Sequence, residues 1–478
     1  MTNVVVKWAG EKYELVADFN EAPLMFKSQL FALTGVPPER QKVLAKGRTI
    51  GDESWNGLVL PEGGLMMMMG SSSAVPEAIT SGSSGQSVDE AKKKLILPSG
   101  LKNLGNTCYM NATLQSFRVI PELMDSISKY QVSGPTQEGE RFHRMTNAIQ
   151  RLYTSMRDTK RDEEDGSGVV IPFLALQTLH STFPQFDTRD DHGHMQQQDA
   201  NECFSELLRL LLTQLTRSSP AMMNKITQYL EGRMSHTMKC LEAESEPVQS
   251  SEERFVQLSC FLSQEVKYLQ SGIKSKMTEE IEKESPTLNR NAKYERKSLV
   301  SRLPSYLSVQ MVRFFYKEKD KINAKILKDV KFPMVLDVFD LCAPELQAKL
   351  MPMREQFKDY EDKKVEQLRL SKVDTEGKVN AETAEKEPQE VISSSFPDDE
   401  GSNNSGFYEL KAVITHKGRS SNSGHYVAWV RMNEEKWAMC DDEEVHEVSG
   451  EEVLKLSGGG DWHCAYVLVY GPKTIYKL

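Results

Sequence analysis

One cysteine is placed where its thiol can act as a nucleophile. Cys108 follows Asn103 by five residues in the segment GLKNLGNTCYMN, and residues 109–124 carry apolar side chains at helical spacing. Unpaired N–H groups and the dipole at the start of a helix favour the thiolate. The Asn103 amide and the Cys108 backbone N–H are donors of the kind that hold an oxyanion. Taken alone, the segment fits a nucleophile and a buried, inert cysteine about equally well.

A histidine and an aspartate near the end of the chain complete this chemistry. His425 lies in an alternating segment, SGHYVAWV, and Asp441 lies sixteen residues later in a second one, KWAMCDD. Polar residues 433–436 between them predict a turn, so the two segments form a hairpin that places His425 beside Asp441. A carboxylate there fixes the imidazole tautomer and stabilises the imidazolium. A cysteine nucleophile needs a base, and the imidazole of His425 can be that base.

The other histidines have no comparable setting. His192 and His194 lie beside two aspartates, which is weak evidence for a metal site, and we predict no metal there. The remaining six are most simply core or surface histidines: His143, His180, His236, His416, His446 and His463.

Length and composition narrow the classes of protein that the chain can belong to. Its 478 residues exceed one ordinary core and predict two or three units. A net charge of −10 without a Lys/Arg stripe argues against nucleic acid as the partner. The sequence has no run of eighteen apolar residues and no secretory leader, so we expect neither a membrane span nor export. Seven widely spaced cysteines suit a reducing compartment, which predicts the cytoplasm, with the nucleus as a second location.

Four segments in the same order resemble the ubiquitin-specific protease family of cysteine deubiquitinases. They are the cysteine segment at 100–111, QQDANE at 197–202, GHYV at 424–427 and AYVLVY at 465–470. The resemblance implies an α+β, papain-like fold in which a helical lobe carries the cysteine and a sheet lobe carries the histidine and the aspartate. Helical patterns precede strand patterns in the chain, and this segregation also favours α+β over an alternating α/β sheet.

The resemblance implies a role for each catalytic residue: Cys108 as nucleophile, His425 as base and acid, Asp441 as the group that orients His425, and Asn103 as oxyanion donor. Asp442 follows Asp441 directly. The residues leave open which of the two holds His425, although the family pattern favours the first. The aromatic residue that usually precedes this aspartate is Cys440 here, which changes the packing beneath the triad but not its chemistry.

The resemblance also implies the substrate, ubiquitin and polyubiquitin chains, whose tail LRLRGG is basic and ends in two glycines. A narrow channel admits only the glycines, and carboxylates pair with the arginines. The side chains expected to bind this tail are Gln198, Asp199, Glu202 and Tyr426, the last as a wall of the channel. Asp199 also fits a helix N-cap before ANECF, and both roles can hold together.

A structural zinc site is not expected, although many family members carry one. The resemblance places paired CxxC ligands at 237–240 and 294–297, where this chain keeps Cys240 alone. A tetrahedral site needs four ligands. We therefore predict that the protein binds neither zinc nor any other cofactor.

Residues 1–70 predict a separate ubiquitin-like β-grasp unit. The expected elements are a hairpin, a helix and a last strand, at residues 4–8 with 12–16, 23–34 and 65–69. The chain continues past Gly70, which indicates a docking module and not a modifier with a free tail. Leu44 lies where ubiquitin carries the centre of its apolar recognition patch, and a contact role and a core role both remain open. Residues 71–97 predict a flexible linker.

Residues 98–478 predict the catalytic domain. A charged, partly disordered insert is expected at about 345–405, beginning with an exposed helix. Two polar segments, 316–325 and 417–423, are expected to lie over the tail channel and to hold the free enzyme at low activity until a partner moves them. Ordinary hairpin loops are the alternative.

The whole arrangement is similar to proteasome-associated members of the family. It implies a monomer when free, docking of residues 1–70 on the regulatory particle of the 26S proteasome, and trimming of ubiquitin chains from bound substrates by hydrolysis of the (iso)peptide bond after the last glycine. The alternative is a non-catalytic ubiquitin receptor or scaffold, and the complete set of four catalytic residues argues against it. Asp199 and Glu202 disfavour another ubiquitin-like modifier as substrate.

Overall fold

In the computed structural model the chain divides into two compact units, residues 1–94 and 95–478. The predicted linker, 71–97, falls outside the described residues except at its last position, so its flexibility stays a prediction. The described residues are 2–8, 11–17, 19, 23–34, 36, 41–46, 48–51, 54–55, 58, 60–61, 63–69, 97–131, 139–159, 168–218, 225–317, 322–373, 390–420, 423–460 and 462–477.

The first unit is a five-stranded sheet that shares a core with one helix, and it confirms the predicted hairpin, helix and last strand. The strand order is β2-β1-β5-β3-β4, with β1 and β5 parallel. Its elements are β1 (Thr2–Trp8), β2 (Glu11–Ala17), α1 (Pro23–Thr34), β3 (Lys42–Ala45), β4 (Arg48–Thr49) and β5 (Gly64–Met69).

The exposed face of this sheet carries three neighbouring apolar side chains. Met66 and Met68 are buried, whereas Leu65 and Met67 are 52% and 50% exposed, because successive residues of a strand point to opposite faces. Leu44 is half-buried and pairs with Met67 across β3 and β5. We call Leu44, Leu65 and Met67 the open face.

Helices form the first part of the second unit: α2 (Cys108–Phe117), α3 (Pro121–Ser128), α4 (Glu140–Asp158), α5 (Phe173–Thr182), α6 (Ala200–Ser218) and α7 (Lys225–Leu230). The single helix predicted over 109–124 is wrong, because α2 and α3 are separate. Pro121 is the first residue of α3, where its missing N–H costs nothing, and it keeps Ile120 extended. The first helix therefore stops at Phe117.

Strands form most of the remainder. A larger sheet contains β10-β13-β21-β17-β18-β19-β20 in that order, and a smaller one contains β11-β12-β8-β9. The strands are β6 (Gly100–Leu101), β7 (Val169–Val170), β8 (Gly232–Cys240), β9 (Gln249–Phe255), β10 (Gln257–Phe261), β11 (Thr278–Ser285), β12 (Arg290–Arg302), β13 (Leu307–Val312), β14 (Phe314–Lys317), β15 (Ile322–Lys325), β16 (Val335–Asp337), β17 (Phe407–Ser420), β18 (Ser423–Arg431), β19 (Lys436–Asp441), β20 (Glu444–Ser449) and β21 (Cys464–Pro472).

Three further helices lie among these strands: α8 (Leu269–Lys274), α9 (Pro344–Val373) and α10 (Gly450–Leu454). The segregation of helices and strands confirms the α+β class. No helix in the described part of the chain combines the length and apolarity needed to cross a bilayer.

The helical lobe packs on one face of the larger sheet, and this contact positions the site. Cys108 from α2 shares a core with Tyr426 and Ala428 from β18. Val427 and Trp429 point to the opposite face and belong to a second core. The alternation of β18 thus divides its side chains between two cores, with the strand fixed between them.

The smaller sheet carries its own small core where the resemblance places zinc ligands. Cys240 pairs with Tyr294 across β8 and β12 and packs with Ala292. The hydroxyl groups of Tyr294 and Ser285 each donate to the buried Glu246 carboxylate at 2.6 Å. Packing and charge-assisted hydrogen bonds therefore hold this end of the sheet together.

The insert predicted at 345–405 begins with the expected helix, α9, but the first turns of this helix are anchored in the core, with Leu350 fully buried. The predicted disorder is wrong for the end of the insert. Residues 402–405 are buried as well, because the Asn403 side chain accepts two backbone N–H groups and donates to a carbonyl. Polar side chains here satisfy the backbone of a tight turn, which composition alone does not distinguish from disorder. Residues 374–389 lie outside the described residues.

The segments predicted as loops, 316–325 and 417–423, are largely strands, which corrects that prediction. They belong to the hairpins β14–β15 and β17–β18. Ala324 pairs with Ser420 between the two hairpins. The Lys325 ammonium, which is buried, donates to the His416 carbonyl at 2.6 Å. The two hairpins are therefore fastened to each other, while their effect on activity stays a prediction.

Candidate active site

Cys108 is the first residue of α2, and its side chain is only 2% exposed. The N-cap residue, Thr107, gives no side-chain hydrogen bond to the helix. Its hydroxyl accepts instead from the Leu104 N–H at 2.9 Å, which folds the preceding loop onto the helix start. The thiol therefore lies at a helix N-terminus that its N-cap side chain leaves uncapped, as the apolar periodicity predicted.

His425 lies between the thiol and a carboxylate. The antiparallel register of β18 and β19 brings Asp441 beside it, with His425 Nε2 and Asp441 Oδ1 2.5 Å apart. The bond to Asp441 foremost, and the neighbouring Cys108 side chain next, raise the pKa of His425 to about 10 despite partial burial. The imidazole is therefore protonated at neutral pH.

The two neighbouring aspartates do different things. Asp441 contacts His425, and that bond holds the pKa of Asp441 below its usual range. Asp442 Oδ2 is 4.0 Å from His425 Nε2, beyond hydrogen-bond distance. Burial raises the pKa of Asp442, and its two oxygens accept from the amides of Asn103 and Asn111, each at 2.8 Å.

Asn103 is held rigidly in the loop before Cys108. Its Oδ1 accepts from the Gly105 and Thr107 N–H groups at 2.9 and 3.3 Å. Its Nδ2 donates to Asp442 Oδ2. One N–H of this amide is used in that bond, and the described residues offer no hydrogen-bond partner to the other. The role of Asn103 in holding an oxyanion stays a prediction.

Asp199 caps α6, as the alternative reading of its segment predicted. Its Oδ1 accepts from the N–H groups of Asn201 and Glu202 at 2.7 and 3.1 Å. Its Oδ2 accepts from the Tyr466 hydroxyl at 2.7 Å. Burial raises the pKa of Asp199 against these three bonds. Its predicted contact with a substrate tail stays a prediction.

The other three residues expected to bind the tail have different surroundings. Glu202 is exposed, and partial burial with the nearby Asp199 and Glu206 charges raises its pKa. Gln198 donates to the Thr188 hydroxyl and to a backbone carbonyl. Tyr426 is only 1% exposed, and its ring belongs to the core that contains Cys108, so its predicted role as a channel wall stays a prediction.

Sequence reasoning missed Asn111 and Tyr466, although both lie in segments that carried the resemblance. Tyr466 fixes Asp199, and Asn111 fixes Asp442. Nothing in the spacing of either residue identifies its partner, because each bond joins positions hundreds of residues apart. A hydroxyl side chain inside the apolar segment AYVLVY was the available signal for Tyr466, whereas Asn111 stands among other polar residues and gave none.

The comparisons with known proteins agree with this geometry. The family model described as ubiquitin carboxyl-terminal hydrolase matches residues 99–470. The chain is 43% identical to ubiquitin carboxyl-terminal hydrolase 14 of Caenorhabditis elegans, over all of this chain and 95% of that protein. It is 36% identical to hydrolase 7 of Arabidopsis thaliana and 36% identical to hydrolase 6 of Schizosaccharomyces pombe, each over 99% of this chain and 100% of the relative.

Proposed function

Since this chain belongs to the ubiquitin carboxyl-terminal hydrolase family and is a cysteine deubiquitinase, we propose that Cys108, His425 and Asp441 carry out the reaction on ubiquitin chains at the proteasome. One observation carries the assignment of residues: the His425 imidazole bonds Asp441 at 2.5 Å, and the Cys108 side chain at the start of α2 lies near enough to the same imidazole to raise its pKa. A scaffold that only binds ubiquitin has no need for that arrangement.

The reaction proceeds through a thioester. The Cys108 thiolate attacks the carbonyl carbon of ubiquitin's last glycine, and the Cys108 N–H and Asn103 amide hold the resulting oxyanion. The C–N bond breaks as protonated His425 gives its proton to the leaving lysine amine. Neutral His425 then takes a proton from water, whose oxygen attacks the thioester carbon, and the C–S bond breaks with its electron pair going to the Cys108 sulfur. The released carboxylic acid loses its proton to solvent, which leaves a carboxylate on ubiquitin and restores the thiolate–imidazolium pair.

The substrate tail is recognised by charge. Glu202 is exposed near the start of α6 and pairs with one tail arginine, and Asp199 contributes a second carboxylate from the cap itself. Gln198, one residue before Asp199, supplies an amide for the extended tail backbone. The burial of Tyr426 supports a structural role for its ring.

Hydrolysis of a fluorogenic ubiquitin C-terminal amide tests the catalytic assignment. Cys108→Ala removes the nucleophile, so turnover and labelling by a ubiquitin C-terminal electrophile should both vanish. Cys240→Ala removes another buried thiol of the same unit, far from His425 in the small core of the second sheet, and should retain both activities. Turnover that survives Cys108→Ala would overturn the assignment.

Residues 1–70 dock on the proteasome regulatory particle through the open face. The apolar side chains Leu44, Leu65 and Met67 lie together on the exposed side of a ubiquitin-like sheet, which suits a partner with an apolar surface. Full-length Met67→Asp should bind purified 26S proteasome at least about tenfold more weakly, a loss typical of a hot spot. Leu33→Asp charges an equally exposed residue on α1 and is the control. Equal binding by both variants would contradict docking by the open face.

The hairpins β14–β15 and β17–β18 cover the channel in the free enzyme and move together when a partner binds. The pairing of Ala324 with Ser420 and the Lys325 bond to the His416 carbonyl support joint motion. Deletion of 418–422 should raise turnover of the free enzyme and reduce further activation by the proteasome. Unchanged turnover in the free enzyme would contradict the gating proposal.

We propose that the free protein is monomeric and works in the cytoplasm and the nucleus. No disulfide is recorded among the described residues, which suits a reducing compartment. Fractionation of cells that express the full chain, with light scattering of the purified protein, tests both statements.

A further inference from the structure

Asn111 lies one helical turn after Cys108, on the helix that carries the nucleophile. It is 2% exposed, so its side chain is not accessible to a substrate in the cleft. Its Nδ2 donates to Asp442 Oδ1 at 2.8 Å and lies 3.3 and 3.4 Å from the carbonyl oxygens of Leu101 and Lys102. The amide therefore joins the start of α2, the loop before it and the end of β19.

One carboxylate connects Asn111 to Asn103. The two oxygens of Asp442 accept one amide each, Oδ1 from Asn111 and Oδ2 from Asn103. The Asp442 carbonyl also accepts from the Leu101 N–H at 2.7 Å, and its φ of +50° holds it in a conformation that few residues other than glycine adopt. Because Asp442 has little conformational freedom, a shift of the Asn111 amide is passed through its carboxylate to the Asn103 amide.

The nitrogen and the oxygen of the Asn111 amide cannot exchange positions. Three oxygen acceptors surround Nδ2, whereas Oδ1 is buried without a hydrogen-bond partner among the described residues. Rotation of the amide would place Oδ1 against the Asp442 carboxylate and two carbonyls. A buried acceptor left unsatisfied is costly, so its retention indicates that the Nδ2 contacts are needed.

We propose that Asn111 is a positioning residue for the oxyanion: through Asp442 it sets the Asn103 amide relative to the thiol of Cys108. The inference rests on the proposed function, since it assumes that Asn103 holds the oxyanion. Asn111 lies on α2, the helix that begins with Cys108. The distance between the Cys108 thiol and the Asn103 amide is therefore kept when substrate binds.

Two reactions of the same thiol separate this role from a general effect on the site. Hydrolysis of a ubiquitin C-terminal amide forms an oxyanion, whereas alkylation of Cys108 by iodoacetamide displaces iodide and forms none. Asn111→Ala should lower kcat for hydrolysis by about 10–100-fold, because a misplaced donor loses much of its effect. KM for the ubiquitin amide and the alkylation rate should stay within about threefold of the intact protein.

Gln115→Ala is the matched control. Gln115 is buried on the same helix one turn further on, and its amide donates to the Ser99 carbonyl of the same leading segment at 2.8 Å, with no contact to Asp442. It should lose thermal stability to a similar extent but retain kcat. An equal fall in kcat for Gln115→Ala would show that Asn111 acts only by packing.

A double variant completes the test. If Asn111 acts through Asn103, Asn111→Ala should add little to the loss caused by Asn103→Ala, and the effects should not multiply. Multiplying effects, or alkylation that falls in parallel with hydrolysis, would overturn the inference. If intact protein reacts with iodoacetamide but does not hydrolyse the ubiquitin amide, the proposed function itself fails. Hydrolysis by Asn111→Ala at the intact rate would remove only the present inference.

Discussion

Two aspartates that the sequence predicts to be functional, Asp441 and Asp199, have unlike surroundings in the folded protein. Asp441 is the last residue of a strand, and one of its carboxylate oxygens accepts from His425. The Asp441 side chain is 36% exposed. Asp199 precedes a helix and gives both oxygens to its own surroundings, two N–H groups of α6 and the Tyr466 hydroxyl. The bond to His425 lowers the pKa of Asp441, whereas burial raises the pKa of Asp199.

The difference shows what makes a carboxylate available for chemistry. Asp441 has a titratable partner, so its negative charge stabilises the imidazolium and raises the pKa of His425. Asp199 is bonded to neutral donors that do not titrate at neutral pH, so its bonds fix an element and transfer no charge. The first carboxylate should therefore affect the rate of the chemical step, and the second should affect substrate affinity and stability.

Removal of the charge of Asp441 should have the largest effect. Asp441→Asn keeps the size of the side chain but loses the carboxylate that orients and charges His425, so kcat should fall about 10³–10⁴-fold. The pKa of His425 should fall from about 10 towards its ordinary value. The alkaline limb of the kcat/KM profile reports loss of the imidazolium proton and should therefore move to lower pH.

The same pair predicts how stability depends on pH. The folded pKa of His425 is raised, so its contribution is fully present below the unfolded value of about 6.5 and is lost as pH rises to about 10. The stability difference between the intact protein and Asp441→Asn should shrink over that window in urea titrations. Glu444→Gln, a neighbour paired with Asp441 across β19 and β20, is the control and should move neither profile.

Glu202 should show a smaller effect, confined to substrate affinity. Glu202→Gln removes an exposed charge at the start of α6 and should raise KM for ubiquitin amide about tenfold, as the loss of one charge-assisted contact does, with kcat nearly unchanged. Glu206→Gln, one turn later on the same helix, is the matched control. A fall in kcat without a rise in KM would place Glu202 in the chemistry and contradict the comparison.

The sequence predicted this site better than it predicted the elements around it. Residue types and spacing singled out Cys108 and His425, because the register of one hairpin and the start of one helix determine where they lie, whereas the choice of Asp441 over Asp442 came from the resemblance. The fate of Tyr426 was not predictable, since its direction depends on which face of β18 meets α2. The buried segment at 402–405 was missed because polar side chains that satisfy a turn have the same composition as those that face water.

Asp199 should give the smallest effect on turnover and the clearest effect on stability. Asp199→Ala loses the cap of α6 and the partner of Tyr466, so the free energy of unfolding should fall by about 1–3 kcal/mol. Asp199→Asn can still cap the helix through its carbonyl oxygen, and its amide N–H can donate to the Tyr466 hydroxyl oxygen, so it should lose much less stability than Asp199→Ala. It should raise KM less than Glu202→Gln, because the Asp199 oxygens already accept three bonds.

The pH dependence of these two variants decides between a cap and a binding charge. Burial raises the folded pKa of Asp199, so the folded carboxyl holds its proton more tightly than the unfolded one and the intact protein loses stability as pH rises above about 3.9. Asp199→Asn carries no such charge, and its stability relative to the intact protein should therefore increase over the same range in urea titrations. If Asp199→Asn instead raised KM as much as Glu202→Gln while its stability followed the intact protein at every pH, Asp199 would be a binding charge like Glu202 and the contrast with Asp441 would lose its basis.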